Sequence, residues 1–533
     1  MKPVLTVENL TVSLPKSADR PHAVTDISFA LNAGEILCIV GESGSGKSVT
    51  ANTVMGLLPP ALKVESGRIK LHYREIHALS PRERESINGR IVSMIFQDPL
   101  SALNPLMTVG QQIEEVMLTH PEVAPANRWE RVVELLGMVG LPDPPTVAHQ
   151  YPFRLSGGQR QRVMIAMALA LDPEVLIADE PTTALDVTTQ AQILEIIRNL
   201  QQQKKMAVMF ITHDFGVVAD IADKVIVMEK GQLIEQGTAD EVLKDPKEPY
   251  TKRLLAAIPT MRTEARSAIR ENAPIVLDIQ NLSKRYTVSG GLFGKSRSVQ
   301  AVDGISLQLR KGETIGIVGE SGSGKSTLGR MVMKLLEIDG GSIILDGEDV
   351  VPMPESRFRA KRPYIQMIFQ DPFASLNPRH SIEHSLICGP MTFGVSLREA
   401  RANARRLMKR VGMPEQTLER YPHEFSGGQR QRIGIARALM FNPLLLIADE
   451  AVSALDVSIQ AQVLQLLDEI QQETRISMMF ITHDLRVASQ ICDRIAVLQR
   501  GKLVELAPAY ELFSAPKDPY TRSLVQAIPG WSA

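Results

Sequence analysis

The nine residues VGESGSGKS occur twice in this chain, beginning once at Val40 and again at Val318. Four shorter segments, IFQDP, SGGQRQR, ADE and ITHD, also occur twice, in the same order and about 270 residues apart. Nine identical residues would not occur twice by chance. The chain therefore carries two copies of one unit of roughly 250 to 260 residues. Solenoid repeats are much shorter, about 20 to 45 residues. Each half must therefore fold as a unit of its own.

The composition is that of a globular protein. The chain has 533 residues, of which 44% are hydrophobic and 22% are charged. Its net charge of −1 gives no overall attraction to nucleic acid or to an anionic membrane. The longest apolar run, Val163–Leu171, has nine residues, whereas a membrane-spanning helix needs about 20. We expect no transmembrane span.

Two further observations bear on the compartment. The first residues lack the apolar stretch of a secretory signal, which predicts a cytosolic protein. The three cysteines, Cys38, Cys388 and Cys492, are far apart and in no CxxC spacing. This pattern argues against a disulfide framework, a zinc site and an iron–sulfur cluster, and favours buried thiols in a reducing compartment.

Short apolar runs predict an α/β fold in each half. Ile36–Val40, Val175–Ala178 and Val208–Ile211 are apolar at every position, as in strands of a parallel sheet covered by helices on both faces. Helix-like, proline-rich segments interrupt this pattern at about residues 99–155 and 372–425, and we interpret them as inserted helical subdomains. We predict domains at 1–259 and 275–533, joined by an exposed linker at 260–274 that contains five charged residues.

Both copies of the longest repeat fit the phosphate-binding pattern GxxxxGK[ST], between an apolar strand and a helical stretch. Glycines let backbone N–H groups close around phosphates, the lysine reaches the outer phosphates, and the final serine can bind Mg²⁺. The predicted residues are Gly41, Glu42, Ser43, Gly44, Ser45, Gly46, Lys47 and Ser48, and then Gly319, Glu320, Ser321, Gly322, Ser323, Gly324, Lys325 and Ser326.

Polar side chains that follow other apolar strands suit phosphoryl transfer. An aspartate there can hold the Mg²⁺ shell while the glutamate beside it polarises the attacking water. A glutamine can touch Mg²⁺ or water, and a histidine can donate to a γ-phosphate. Taken alone, each of these residues would be interpreted as a structural or solvated residue at the end of a strand, with no role in chemistry. Because these residues follow a phosphate-binding loop in the same half, we predict that they take part in phosphoryl transfer. They are Asp179, Glu180, Gln97 and His213, and then Asp449, Glu450, Gln370 and His483.

The order of these motifs, with LSGGQ at Leu155 and FSGGQ at Phe425, resembles the nucleotide-binding domain of ABC transporters over nearly the whole chain. In that family two such domains close head to tail, so the resemblance implies two ATP sites between the halves. Each would pair one phosphate-binding loop with the other half's SGGQ and ALD segments. The residues so implied are Ser156, Gly157, Gly158, Gln159 and Asp186, and Ser426, Gly427, Gly428, Gln429 and Asp456.

Finer motifs resemble the ATPases of oligopeptide and dipeptide importers. These are the QDP…LNP stretches that begin at Gln97 and Gln370, and the PYT segments at Pro249 and Pro519. The family also stacks adenine on an aromatic residue near the start of each domain. Tyr286 fits in the second half, but Leu14 stands at the equivalent position in the first. Two competent but unequal ATP sites are therefore expected.

The resemblance implies an ATP-hydrolysing subunit, with ATP and Mg²⁺ as cofactors, that energises a peptide importer. Substrates would be oligopeptides, dipeptides or microcin C-like compounds; an importer for glutathione or another small solute is an alternative. The implied partners are two integral-membrane permease subunits and, through them, a periplasmic substrate-binding protein, with no nucleic acid. The implied location is peripheral, on the cytoplasmic face of the bacterial inner membrane.

A different class of protein, the soluble tandem ABC ATPases that act on ribosomes, also resembles this chain. Those proteins typically carry a long charged helical linker between the halves and a glutamate after the signature glycines. Here the linker is short, and Gln159 and Gln429 stand at the glutamate positions. These features favour the importer.

Overall fold

The computed structural model describes residues 3–16, 18–182, 185–259, 261, 266, 272–288, 297–371, 375–453 and 455–530. Most of the predicted linker 260–274 lies outside these ranges. So do Ala184 and Ala454 of the two ALD segments, and residues 372–374 at the start of the second helical insertion.

In the described residues of the first half, the strands form two sheets. The strands are β1 (Pro3–Ser13), β2 (His22–Asn32), β3 (Ile36–Val40), β4 (Lys63–Leu71), β5 (Arg74–Glu75), β6 (Val92–Ile95), β7 (Val175–Asp179), β8 (Ala207–Ile211), β9 (Lys224–Glu229) and β10 (Gln232–Thr238). An antiparallel sheet has the order β2-β1-β4-β5, and the central sheet has the order β10-β9-β3-β8-β7-β6. All neighbours in the central sheet are parallel except β10 with β9.

Helices surround the central sheet of the first half and form its insertion. They are α1 (Lys47–Met55), α2 (Pro81–Glu85), α3 (Pro99–Ala102), α4 (Val109–Thr119), α5 (Arg128–Met138), α6 (Pro144–Ala148), α7 (Gly157–Ala168), α8 (Val187–Lys204), α9 (Phe215–Ile221), α10 (Ala239–Lys244) and α11 (Pro249–Ala256), with a 3-10 turn at Pro152–Arg154.

The second half repeats this arrangement of strands. They are β11 (Ile275–Val288), β12 (Arg297–Arg310), β13 (Thr314–Val318), β14 (Gly340–Leu345), β15 (Glu348–Asp349), β16 (Ile365–Ile368), β17 (Leu445–Asp449), β18 (Ser477–Ile481), β19 (Arg494–Gln499) and β20 (Lys502–Pro508). The two sheets have the orders β12-β11-β14-β15 and β16-β17-β18-β13-β19-β20.

The helices of the second half follow the same order. They are α12 (Lys325–Val332), α13 (Glu355–Phe358), α14 (Ile382–Thr392), α15 (Leu397–Arg410), α16 (Gly427–Leu439), α17 (Val457–Thr474), α18 (Leu485–Ile491), α19 (Ala509–Ser514) and α20 (Pro519–Gln526). Short 3-10 helices lie at Arg359–Tyr364, Glu415–Glu419 and Pro422–Glu424.

The predicted α/β fold is confirmed. Strands β3 and β8 are apolar and buried at every residue, and β7 is buried throughout, including Asp179 at its end. One core covers each face of the sheet, and the core on the insertion side continues into α4 and α5 through Ile113, Val132 and Leu136. Residues at the carboxyl ends of the parallel strands β3, β8, β7 and β6 consequently meet along one edge of the sheet.

None of the helices in the described ranges is long and apolar enough to cross a bilayer. All three cysteines are free: Cys38 and Cys492 are buried, and Cys388 is exposed. The prediction of buried thiols is therefore wrong for Cys388, because α14 packs through Leu386 and Ile387 and leaves Cys388 at the surface.

Candidate functional site

Both phosphate-binding loops depend on a glycine immediately before the helix. Gly46 has φ of 102° and Gly324 has φ of 103°, in the left-handed region that favours glycine. A β-carbon on Gly46 would lie 2.7 Å from the carbonyl oxygen of Ala23, and one on Gly324 would lie 2.2 Å from that of Ala301. The loop therefore packs its backbone against the neighbouring strand, which leaves its other face open to a ligand.

The loop lysines are buried and bound to their own loops. Lys47 Nζ donates to the carbonyl oxygens of Gly41 at 2.7 Å and Glu42 at 2.9 Å. Lys325 makes the equivalent bonds at 2.7 and 2.8 Å. Burial lowers the pKa of both lysines, although nearby carboxylates oppose the effect. An added phosphate would supply the counter-charge that these ammonium groups otherwise find only in part.

A serine and an aspartate meet at the start of each loop helix. Ser48 Oγ donates to Asp179 Oδ1 at 3.0 Å, and Ser326 Oγ donates to Asp449 Oδ1 at 2.9 Å. Burial raises the pKa of Asp179 to about 6 and also raises the pKa of Asp449. Both carboxylates are poorly solvated, and a cation beside either one would stabilise its ionised form.

Glu180 is held in a strained backbone conformation at the end of β7. Its φ is 47°, rare for a residue with a side chain, and its N–H donates to Ile211 O at 2.9 Å. The carboxylate accepts a bond of 2.9 Å from Gln97 Nε2, and its other oxygen lies 3.4 Å from His213 Nδ1. Residues that follow the two strands beside β7, namely β6 and β8, thus converge on the carboxylate at the end of β7.

The second half repeats this cluster. Glu450 has φ of 48°, accepts a bond of 2.8 Å from Gln370 Nε2, and lies 3.4 Å from His483 Nδ1. Burial alone would raise the pKa of Glu450 and lower that of His483. Their mutual attraction outweighs burial, so the pKa of Glu450 falls and that of His483 rises. The pair favours a carboxylate beside an imidazolium.

The SGGQ segments form the N-termini of α7 and α16. Ser426 caps α16, and Gln429 completes the cap because its Oε1 accepts from the Ser426 N–H at 3.0 Å. Ser156 and Gln159 form the same capping box on α7. Because each glutamine side chain serves its own helix, the serine and the two glycines are the parts of the segment that can face a ligand.

A cavity of about 650 Å³ lies between the two halves. From the first half it is lined by the phosphate-binding loop at 43–49, Gln97, Glu180 and His213. From the second half it is lined by residues that include Ser426, Gly427, Gly428, Ser453 and Asp456. The phosphate-binding loop of the first half and the SGGQ segment of the second half thus line one cavity. This is the arrangement that the resemblance implies.

Contacts between the halves join each phosphate-binding loop to the opposite ALD helix. Ser458 Oγ donates to Glu42 Oε1, and in the reciprocal contact Thr188 Oγ1 donates to Glu320 Oε1 at 2.6 Å. Both hydroxyls lie in the first turn of the long helix that follows the ALD segment. The interface is therefore built twice, once at each loop.

Sequence reasoning missed how the PYT segments contribute. The hydroxyl oxygen of Tyr250 accepts a bond from the Glu42 N–H at 3.4 Å, and that of Tyr520 accepts one from the Glu320 N–H at 3.2 Å. Burial raises the pKa of both tyrosines to about 12, which keeps the hydroxyls neutral. The helices α11 and α20 therefore hold the two phosphate-binding loops through a bond from the loop backbone to a tyrosine hydroxyl.

The two halves differ where an adenine would stack. Tyr286 in β11 is 39% exposed, and Lys284 Nζ lies over its ring, 6.0 Å from the ring centre. Leu14 in the first half is partly buried and its N–H bonds to Pro21 O at 2.8 Å. Arg20, which the sequence analysis did not single out, donates to Gly44 O of the loop.

The chain resembles known protein families and individual proteins along most of its length. The family model of the ABC transporter matches residues 24–183 and 302–453, and that of the oligopeptide/dipeptide transporter C-terminal region matches 234–289 and 504–532. The glutathione import ATP-binding protein GsiA of Shigella boydii serotype 4 (strain Sb227) is 45% identical over 560 residues, covering 99% of this chain and 89% of that protein. The GsiA protein of Escherichia coli (strain K12) gives the same values. A dimeric bacterial ABC transporter cassette of known structure aligns with TM-score 0.40 and 26% identity over 44% of this chain and 98% of that chain.

Fold and site together define a tandem P-loop ATPase with two nucleotide-binding halves. More particularly, the chain belongs to the ABC transporter family, as an ATP-binding protein with two ABC transporter domains and the oligopeptide/dipeptide transporter C-terminal region. The predicted family and the predicted transport-coupled ATPase activity are confirmed.

Proposed function

We propose that this chain powers an importer for short peptides by binding and hydrolysing ATP at two composite sites between its halves. The observation that carries the proposal is the shared cavity, in which the first loop faces Ser426 and Asp456 of the second half. In this proposal residues 1–259 and 275–533 are the two ATPase domains and 260–274 is the linker.

Each composite site has the groups that hydrolysis of a γ-phosphate needs. Backbone N–H groups of the loop and Lys47 bind the phosphates, and the N-terminus of α16 approaches from the opposite side. Glu180 accepts a proton from the attacking water while Gln97 fixes the orientation of its carboxylate. His213, which lines the same cavity, donates to the γ-phosphate in this proposal. Lys325, Glu450, Gln370 and His483 have the same roles at the second site.

The residues at the start of α1 and α12 suit Mg²⁺. The cation prefers one or two carboxylates together with hydroxyl, water and phosphate oxygens. Ser48 with Asp179, and Ser326 with Asp449, supply a hydroxyl and a buried carboxylate at bonding distance. Gln97 and Gln370 are candidates for a further ligand. A bound Mg²⁺ would neutralise charge on the β- and γ-phosphates.

The proposed substrate class is a short peptide. One line of support is the match to the oligopeptide/dipeptide transporter C-terminal region, and the other is 45% identity to ATPases named for glutathione, itself a tripeptide. Glutathione is therefore the first compound to test, followed by dipeptides, oligopeptides and microcin C-like compounds. Selectivity itself belongs to the proposed partners: two membrane permeases and a periplasmic binding protein on the other side of the inner membrane.

Uptake of labelled glutathione tests this proposal in a strain that carries the Glu180→Gln, Glu450→Gln double variant in place of the native chain. Both substitutions keep side-chain size and remove the base, so the protein should fold but not turn over. We expect uptake of glutathione, or of a labelled dipeptide measured in parallel, to fall to background.

Affinity purification of the same double variant with ATP provides the second arm. Co-purification of two polytopic membrane proteins supports the importer. Ribosomal proteins without permeases, together with unchanged uptake of every peptide, would contradict the proposal.

A further inference from the structure

A single arginine bridges the two halves beside both histidine-bearing loops. Arg486 lies in α18, and its guanidinium donates to both carboxylate oxygens of Asp214 in the first half, at 3.1 and 2.9 Å. The same group lies 3.3 and 3.4 Å from the oxygens of Asp484 in its own half. Asp214 directly follows His213, and Asp484 directly follows His483.

This bridge is buried and electrostatically strong. The side chains of Arg486, Asp214 and Asp484 are 14%, 20% and 24% exposed. Burial alone would raise the pKa of Asp214, but the guanidinium outweighs it and the pKa falls. Conversely, the two aspartates outweigh burial at Arg486 and raise its pKa. A planar guanidinium bound in this forked way also fixes the geometry of its partners.

The bridge breaks the twofold relationship between the halves. Gly216 occupies the position in α9 that Arg486 occupies in α18. A β-carbon at Gly216 would lie 2.7 Å from Arg486 Nη1 and 2.8 Å from Pro529 O. The first half therefore has no side chain where the second half's arginine enters. Two arginines there would repel each other, and two glycines would leave two aspartates facing each other without a counter-ion.

The contacts of both aspartates connect the arginine to the loops themselves. Asp214 Oδ1 also accepts from the Gly216 N–H at 2.8 Å, and Asp484 Oδ1 accepts from the Arg486 N–H at 2.8 Å. Each aspartate thus follows its histidine and caps the helix that begins at the next residue. A shift of either histidine loop must move an aspartate that shares one guanidinium with the other loop.

We propose that Arg486 is a positioning residue that couples the two hydrolytic sites by tying the His213 and His483 loops to one shared cation. This inference rests on the proposed function, because it requires ATP hydrolysis at both composite sites. The coupling is available only to two non-identical halves, since one half must contribute the arginine and the other the space for it.

The test compares ATP hydrolysis by wild type, Arg486→Gln, Arg486→Lys and Asp214→Asn. Asparagine caps a helix as well as aspartate does, so Asp214→Asn removes the ion pair and retains the cap. Arg198→Gln is the matched control, because Arg198 makes its bond to Asp220 O within the first half. We expect wild type and Arg198→Gln to hydrolyse ATP with a Hill coefficient above 1. Arg486→Gln, Arg486→Lys and Asp214→Asn should bring it close to 1.

A second measurement excludes a merely structural effect. In wild type, Glu450→Gln should remove far more than half of the turnover, because the sites depend on each other. In an Arg486→Gln background the same substitution should remove only the contribution of its own site. If Arg486→Gln retains the wild-type Hill coefficient and the wild-type response to Glu450→Gln, or if wild type itself has a Hill coefficient of 1, the inference is overturned. Absence of ATPase activity in wild type would instead contradict the proposed function.

Discussion

The N–H of Ser43 in the first phosphate-binding loop donates to Asp456 Oδ1 in the second half at 2.7 Å. Asp456 makes no side-chain cap on its own helix, α17. Its counterpart Asp186 does cap α8, through a bond of 2.9 Å from the Thr189 N–H. Of two aspartates at equivalent positions, Asp186 therefore caps its own helix, whereas Asp456 binds the phosphate-binding loop of the other half.

This difference predicts that substitution by alanine affects stability at Asp186 and ATP binding at Asp456. Asp186→Ala removes a helix cap and should lower the free energy of unfolding by about 1 kcal/mol. Asp456→Ala should leave thermal unfolding close to wild type but raise the KM for ATP, because it removes a contact between the halves. Thermal unfolding and steady-state ATPase assays check both outcomes. Equal losses of stability in the two variants would contradict the assignment.

The two glutamates at the ends of β7 and β17 should carry most of the hydrolytic activity. Glu180→Gln and Glu450→Gln should each slow hydrolysis at its own site by about 10² to 10⁴-fold, the usual contribution of a general base. Because we predict unequal sites, the two variants should leave different residual turnover. Single-turnover assays measure this directly. Equal residual turnover together with equal nucleotide affinity would argue against unequal sites.

The missing aromatic in the first half predicts a gain of affinity. Leu14→Tyr should strengthen nucleotide binding at the first site by up to about tenfold, since aromatic stacking contributes about 0.5 to 1.5 kcal/mol. Tyr286→Leu should weaken the second site by a similar factor, and Leu14→Ile is the control without a ring. Titration with a fluorescent ATP analogue gives both constants. If nucleotide affinity does not change in Leu14→Tyr, the adenine ring does not stack at position 14, and the prediction is wrong.

The raised pKa of Asp179 predicts a pH-dependent Mg²⁺ requirement. Its carboxyl group holds a proton up to a pH of about 6, so the anionic ligand is lost as the pH falls through that value. In a Glu450→Gln background, the Mg²⁺ concentration for half-maximal turnover should rise between pH 7 and pH 5.5. Asp179→Asn controls for protonation of ATP itself. The same pH dependence in both proteins would contradict the prediction.

Much of this architecture could be predicted because it is local in the sequence. The buried strand β3 and the loop after it follow from five apolar residues and a glycine-rich pattern, and Glu180 follows directly from the end of a similar strand. The bridge from Arg486 to Asp214 could not be predicted, because those residues are brought together only when the halves meet. The contact of Tyr250 with Glu42 depends in the same way on how α11 packs.

The composite nature of the sites can be tested most directly by pairing substitutions across the halves. Lys47→Ala disables the phosphate-binding loop of the first half. Gly157→Asp places a negative charge in the SGGQ segment of the first half, and Gly427→Asp places one in that of the second half. A β-carbon at either glycine meets no atom within 4 Å, so both aspartates fit the fold. The measured quantity is slowly exchanging ATP per chain in the Glu180→Gln, Glu450→Gln background.

We predict that Lys47→Ala with Gly427→Asp retains about one such ATP per chain, because both substitutions affect the same site and the other site stays intact. Lys47→Ala with Gly157→Asp should retain none, because each substitution disables a different site. The opposite pattern, with ATP retained only when both substitutions lie in the first half, would show that each half builds its site alone and would contradict the account.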